Sequence, residues 1–280
     1  MSSLEGRRVL ITGAARGIGA ALAERLHQRG AKVAVVGLEE DLLAQVAAKC
    51  GNGFHARCDV TDRLQVEQVV EDAVAALGGL DVVVANAGIA AQLPLIGGDP
   101  AVMERTVAVN LLGVYYTLRA AGPHISHANG YALPISSVGA VVHLPLMGAY
   151  SASKAAVEAL GNTLRIELGP TGAKVGVAYF AEIDTDMTSR GFGTEAAELL
   201  TKNMPKAVNR VAPLNVAIDA LERGITNRSR RVVAPRRAAP LLPGRMVAQR
   251  VVDRFARKNL SKALEIARQE NAPLTTPQES

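Results

Sequence analysis

Two residue patterns in this 280-residue chain have the types and spacing to do chemistry. The first is Tyr150-Ser151-Ala152-Ser153-Lys154. Its apolar spacing predicts a helix over 149–168, so Tyr150 and Lys154, four apart, leave the same helix face. A free phenol titrates near pH ~10, and an ammonium beside it stabilises the phenolate and lowers that value. Such a tyrosine can exchange a proton with a carbinol oxygen near neutral pH. The second pattern is Thr12-Gly13-Ala14-Ala15-Arg16-Gly17-Ile18-Gly19. It joins a strand-like run, 7–12, to a predicted helix, 17–29. Glycine lets the backbone approach a pyrophosphate closely, and the helix start offers free N–H groups and a partial positive charge. Neither pattern is specific alone; the strand before and the helix after give the second one its context.

The elements that must position these residues follow from the patterning. Predicted strands at 7–12, 32–36, 54–59, 81–85, 131–136, 174–180 and 231–234 alternate with helical stretches at 17–29, 39–49, 62–77, 101–122, 149–168 and 213–223. Several strands are continuous apolar runs, which marks strands buried on both faces, as in a parallel sheet covered by helices. The chain is 49% hydrophobic, with no Trp and 3% aromatics, so Ala, Val, Leu and Ile must build the core. Strand–helix alternation implies an α/β sandwich with right-handed crossovers. Pro134 falls inside the fifth strand, where it removes a ladder donor and marks a strand end or a bulge.

The last fifth differs in charge. Residues 1–227 hold 19 Lys and Arg against 22 Asp and Glu, whereas residues 228–280 hold 12 against 4. Three prolines at 235–243 read as a hinge, and 244–269 reads as one amphipathic helix, with a frayed end from 271. Val247, Val251 and Phe255 are spaced by four and share a face, with Arg250, Arg254 and Arg257 on or near another. Such a helix packs its apolar stripe on its own fold or lies on an anionic membrane surface. The first is the expectation and the second the alternative. Phe255 is the one aromatic in this basic stretch, so base stacking and a nucleic-acid partner are not supported.

No apolar leader pattern is read at the N-terminus and no apolar run is long enough for a membrane span. Cys50 and Cys58 make no disulfide framework and are expected to be reduced, which points to a cytoplasmic protein. His124 and His127 stand three apart, but no cysteine or carboxylate cluster joins them, and no metal site is read there.

Taken together, these motifs resemble the short-chain dehydrogenase/reductase family. They run in family order: the glycine turn, Asp59 after the third strand, Asn86-Ala87-Gly88 after the fourth, Asn110 in the long helix, Ser137 after the fifth strand, then Tyr150 and Lys154. Ser137 precedes Tyr150 by thirteen residues, as the family pattern requires. The likeness spans about residues 4–234, and the joint pattern is far more specific than any part of it. It implies a Rossmann-like doubly wound sheet of about seven strands as one domain, 1–234, with a basic helical extension, 235–280. It implies that Tyr150 is the general acid or base, that Lys154 binds the nicotinamide ribose and lowers the phenol's pKa, and that Ser137 holds the substrate oxygen. Asn110 would position a water linking Lys154 to solvent. Gly13, Gly17, Ile18 and Gly19 would cradle the pyrophosphate, Asp59 and Val60 the adenine, Asn86 and Gly88 the cofactor wall, and Ile183 and Thr185 the carboxamide. Phe180-Ala181 stand where the family has Pro-Gly.

The expected activity is hydride transfer between NADP or NAD and a carbonyl or secondary alcohol. Gly37 lacks the carboxylate that would bind a ribose 2′-hydroxyl, and Arg16 could meet a 2′-phosphate, which leans the reading toward NADP. Glu39 and Glu40 oppose it. Leu144–Met147 with His143, and roughly 187–204, are expected to wall an apolar substrate pocket. A homodimer or homotetramer is expected from the family's helix pair at 101–122 and 149–168. The rival reading is a dinucleotide-sensing or scaffold protein without turnover on the same fold.

Overall fold

The glycine turn lies where the sequence places it, between β1 (Arg8–Thr12) and α1 (Gly17–Gln28). The computed structural model describes residues 4–185, 187, 194–202 and 210–270. Six parallel strands form one sheet in the order β3-β2-β1-β4-β5-β6, with β2 at Lys32–Gly37, β3 at His55–Arg57, β4 at Val82–Ala85, β5 at Tyr131–Pro134 and β6 at Lys174–Val175. A parallel pair, β7 (Val177–Phe180) and β8 (Arg231–Ala234), continues it through the bridge between Ile135 and Ala178. The expected sixth strand is thus two: the chain breaks at Gly176, where a Cβ would run into the Tyr131 hydroxyl and the Ser229 carbonyl.

Strand pleating sorts the core into two layers. Val9, Ile11, Val33, Val35, Val82 and Val84 point one way, onto α1, α2 (Glu40–Lys49) and α8 (Leu214–Asn227). Leu10, Ala34, Val36, Val83 and Ala85 point the other way, onto α3 (Arg63–Leu77), α5 (Gly113–Ile125) and α6 (Gly148–Glu167). This double burial is why the strands read as unbroken apolar runs. The strand order reverses between β1 and β4, which opens a crevice at the carboxyl ends of those two strands.

The expected single helix over 101–122 is three segments. α4 (Pro100–Val107) passes into a π-helical turn at Ala108–Leu112 and then into α5. Pro134 is the last residue of β5, and the Ile135 N–H resumes pairing with the Ala85 carbonyl at 3.0 Å, so the proline marks a strand end and not a bulge.

The tail departs from its sequence reading twice. The prolines of 235–243 support a 3₁₀ turn at Arg236–Leu241. The expected helix over 244–269 is broken at 257–259 into α9 (Arg245–Ala256) and α10 (Leu260–Gln269). Both pack on the fold, as expected, but α9 does so with a different face. Val252 and Ala256 are buried, with Phe255 packed beside them, against Val142 and Leu144, whereas Val247 and Val251 face outward. On α10, Ala263 and Ala267 sit against Leu146 and against Ala196 and Leu200 of α7 (Glu195–Thr201). The expected frayed end from 271 lies outside the described residues.

Candidate functional site

The crevice at the β1/β4 switch point is lined by Gly13, Arg16, Gly17, Ile18, Gly37, Leu38, Glu39, Asp59, Val60, Asn86, Gly88, Val109 and Thr185. Gly13 has φ +62°, and a Cβ there would meet the Ala87 backbone at 2.7 Å, so both conformation and space demand glycine. A Cβ on Gly19 would sit 2.4 Å from the Gly13 carbonyl and 2.8 Å from Asn86 Nδ2. That closeness lets Asn86 tie the turn to β4: its amide donates to the carbonyls of Thr12 at 3.0 Å and Gly13 at 3.1 Å. Thr12, which the sequence reading passed over, accepts through Oγ1 from the N–H groups of Asn86 and Ala87.

Asp59 accepts from the Thr61 N–H at 2.9 Å and hydroxyl at 2.8 Å, and Arg105 reaches it at 3.2 Å. Burial works against its ionisation, but these hydrogen bonds and the cation outweigh it and hold its pKa below the ordinary value. Gln65, through a short bond to the Asp59 N–H, fixes the same loop. Arg16 is clasped by Glu39 at 2.5 Å, with both side chains partly exposed. The sequence raised Arg16 as an anion receptor and Glu39 as its opponent; the fold joins them into one pair.

Behind Gly88, which lines the crevice and abuts Lys154, Ser137, Tyr150 and Lys154 converge. Ser137 follows β5 and caps a 3₁₀ turn, its Oγ accepting from the Gly139 N–H at 3.0 Å and donating to the Phe180 carbonyl at 3.2 Å. Tyr150, near the start of α6, is hydrogen-bonded to the Ser137 hydroxyl. Burial pushes the phenol's pKa up and the Ser137 bond acts against that shift, so the net direction is opposite to the lowering expected from Lys154. Lys154, one turn on, donates to the Ile135 carbonyl at 3.0 Å and lies 5.7 Å from the Tyr150 ring centre. Loss of solvent lowers its pKa to about 8, so the ammonium persists at neutral pH.

Asn110 lies inside the π turn and is fully buried. Its amide accepts from the Ile89 N–H at 2.8 Å and donates to the Ile89 carbonyl at 2.9 Å and to Ser153 Oγ at 3.1 Å. It therefore ties the loop after β4 to α6. Gly88 sits between: a Cβ there would meet Asn110 Oδ1 at 3.2 Å and Lys154 Nζ at 3.3 Å. Ser153 and Ser136, the latter donating to the Lys154 carbonyl at 2.7 Å, are supports that no motif announced.

Ile183 is buried and bridges Ala212, and Thr185 reaches the crevice. Phe180-Ala181 stand in place of Pro-Gly, and the Ala181 N–H donates to the Ala234 carbonyl at 3.0 Å. On the far side of Ser137 lies the 141–147 loop. Leu144 is half-buried against α9, and His143 is exposed, its backbone held on both sides by Gln249, at 2.7 and 3.0 Å. Of the expected rim at 187–204, positions 188–193 and 203–204 lie outside the described residues, while α7 carries Ala196 and Leu200. His124 and His127 reach different partners, Glu71 and the Leu80 carbonyl. No helix among the described residues is long and apolar enough to cross a membrane.

A family model described as short chain dehydrogenase matches residues 7–196. The chain belongs to the short-chain dehydrogenase/reductase family. Members are NAD(P)-dependent oxidoreductases, and this fold and activity class are assigned to the chain. An uncharacterized oxidoreductase of Staphylococcus saprophyticus is 32% identical over 194 residues, 67% of this chain and 83% of that protein. The trans-4-hydroxycyclohexanecarboxylate dehydrogenase of Sinomonas cyclohexanicum is 34% identical over 197 residues, 66% of this chain and 76% of that one. Among solved structures, a short chain dehydrogenase from Burkholderia cenocepacia in complex with NADP superposes with TM-score 0.73 at 28% identity, over 82% of this chain and 96% of that one.

Proposed function

We propose that this family member interconverts a secondary alcohol and a ketone, or an alcohol and an aldehyde, on an apolar substrate. One observation carries the reading: Ser137, Tyr150 and Lys154 converge beside Gly88, in the wall of a crevice whose lining, from the glycine cradle at Gly13 to Thr185, suits a dinucleotide. When bound there, NAD(P) supplies or accepts the hydride. Gly13, Gly17, Ile18 and Gly19 hold its pyrophosphate, Asp59 and Val60 its adenine, Asn86 and Gly88 its inner wall, and Ile183 and Thr185 its carboxamide.

The chain's own residues handle the proton. In reduction, Ser137 donates a hydrogen bond to the substrate oxygen as negative charge builds there. Tyr150 transfers its phenolic proton to that oxygen, and the Lys154 ammonium stabilises the phenolate left behind. In oxidation the same groups run in reverse, with the phenolate as base. Asn110 is a positioning residue that holds the loop after β4 against α6, beside the proposed water path from Lys154 to solvent.

Leu144 and, beyond it, His143 are proposed to border the substrate. The half-buried Leu144 favours an apolar molecule over a charged one, and Leu146, Ala196 and Leu200, buried against α10, back that wall. NADP is the favoured cofactor, through Arg16 and the missing carboxylate at Gly37, with Glu39 setting how strongly. The exposed Leu112, Tyr115 and Ile166, on or beside α5 and α6, support a closed homodimer or homotetramer. The core domain is proposed to span 1–234, with 235–280 as its extension. The buried free thiols Cys50 and Cys58 suit the cytoplasm. The test is an absorbance screen of alcohols and ketones, run with NAD(H) and NADP(H) in parallel. Turnover of an apolar carbonyl or alcohol is expected. Cofactor binding with no turnover across the panel, unchanged by Tyr150→Phe, would leave a sensing protein instead.

A further inference from the structure

α9 is an amphipathic helix turned partly inside out. Its inner face is fully used: Val252 and Ala256 pack on the 142–144 stretch, Arg245 pairs with Glu158 at 2.9 Å, and Gln249 holds the His143 backbone. These contacts lay the helix flat along the surface. What remains faces outward: Met246 is 73% exposed, Val247 67% and Val251 44%. At 100° per residue, Val247 and Val251 form a continuous apolar edge with the half-buried Phe255.

Arg250 and Arg254 lie immediately beside that edge, and Arg257, Lys258 and Lys262 continue the basic surface into α10. All five cations are exposed, and none forms an ion pair among the described residues. The one acidic side chain of α9, Asp253, is engaged by Gln249 at 2.8 Å. The outward surface thus combines exposed aliphatic side chains with an excess of positive charge, Arg250, Arg254 and Arg257 against the exposed Asp253, on one rigid helix.

We propose that the outward face of α9 docks on an anionic lipid bilayer surface, with Val247 and Val251 entering the interface and the flanking arginines meeting lipid phosphates. The charge selects an anionic partner, and the apolar edge selects lipid over nucleic acid. Exposed valines gain nothing from a phosphate backbone, whereas a bilayer rewards both kinds of side chain. Long arginine stems lying along the apolar edge let their heads reach the headgroups. The helix also packs on Val142 and Leu144 through its inner face, so docking would hold the substrate-side loop one helix behind the membrane from which an apolar molecule could partition. The docking claim does not depend on that activity, because its readouts are binding alone.

The test uses the full-length chain and vesicles of phosphatidylglycerol with phosphatidylcholine, against vesicles of phosphatidylcholine alone. Co-sedimentation with the anionic vesicles only, weakened by added salt, is expected. Arg250→Glu with Arg254→Glu should abolish it, and Val247→Ser with Val251→Ser should weaken it by about tenfold. These positions are exposed, so unchanged circular dichroism and thermal unfolding establish that the variants fold. The chain has no tryptophan, so Val247→Trp gives a single reporter, whose emission should shift to the blue on anionic vesicles and stay put with phosphatidylcholine. The proposal is overturned by no pelleting at low salt, by binding that survives the arginine changes, or by binding indifferent to the valine changes. It is equally overturned if the valine changes dissolve a dimer or oligomer, which would assign the face to a second copy of the chain.

Discussion

Arg16 and Glu39 meet at 2.5 Å across the crevice, one on the glycine turn and the other just past the end of β2. The carboxylate thereby cancels much of the charge that a 2′-phosphate would seek. NADPH should bind more tightly than NADH. Glu39→Gln, which removes the opposing charge beside the guanidinium, should widen that preference by about five- to tenfold, and Arg16→Ala should narrow it. Titration by nicotinamide fluorescence measures each ratio. A preference for NADH, or one indifferent to both changes, would remove the pair from cofactor choice.

Tyr150→Phe deletes only the phenolic oxygen that Ser137 contacts. Turnover should fall by at least ~100-fold, the scale of lost general acid–base catalysis, while cofactor affinity stays within about twofold. Steady-state rates beside binding titrations separate the two. Near-normal turnover would take the proton transfer away from Tyr150.

Lys154 is buried, and its pKa is lowered from 10.5 to about 8. A cation whose folded pKa lies below its unfolded one binds protons more readily when the chain unfolds. It therefore costs stability below pH 8, and that cost fades as pH rises toward 10.5. The gap is worth about 3 kcal/mol at most. Lys154→Met should inactivate the enzyme yet raise the unfolding temperature at pH 7, and the gain should shrink by pH 9. Differential scanning calorimetry of both proteins checks this; a variant less stable than wild type at pH 7 would contradict it.

Ile166, on α6, is 80% exposed despite its size. If α5 and α6 form the face between subunits, Ile166→Arg should convert the oligomer to monomers at micromolar concentration. Light scattering reads the mass directly. A wild-type monomer, or an oligomer unmoved by the charge, would exclude this face.

How much of this could be read from the residues alone divides along physical lines. Contiguous motifs were legible: the turn at Thr12–Gly19 and the Tyr150/Lys154 pair encode their own local geometry, and the unbroken apolar strands encode a sheet buried on both sides. The π turn at Ala108–Leu112 was not, because a single inserted residue leaves the helical pattern almost unchanged while moving Asn110 onto Ile89 and Ser153. The two-strand break at Gly176 was hidden too, since the obstruction comes from Tyr131 and Ser229, distant in sequence. In the tail, Val247, Val251 and Phe255 do share a side, as their spacing says. Which side packs was decided by contacts with Val142 and Leu144, which periodicity cannot see. The same holds for Arg16 and Glu39: their charges were visible and their union was not.

The family match ends at residue 196, inside α7. α9 and α10, which brace the 142–146 loop and α7, lie wholly beyond it. Nucleotide handling and the props behind the proposed substrate border are therefore written in separate stretches of the gene, although the border residues His143 and Leu144 lie inside the matched one. The second can drift, lengthen or be exchanged while the first stays intact. Two relatives alike through residue 196 share those border residues and differ in what props them, and exchanging residues 235–270 between them tests whether the props alone move substrate range.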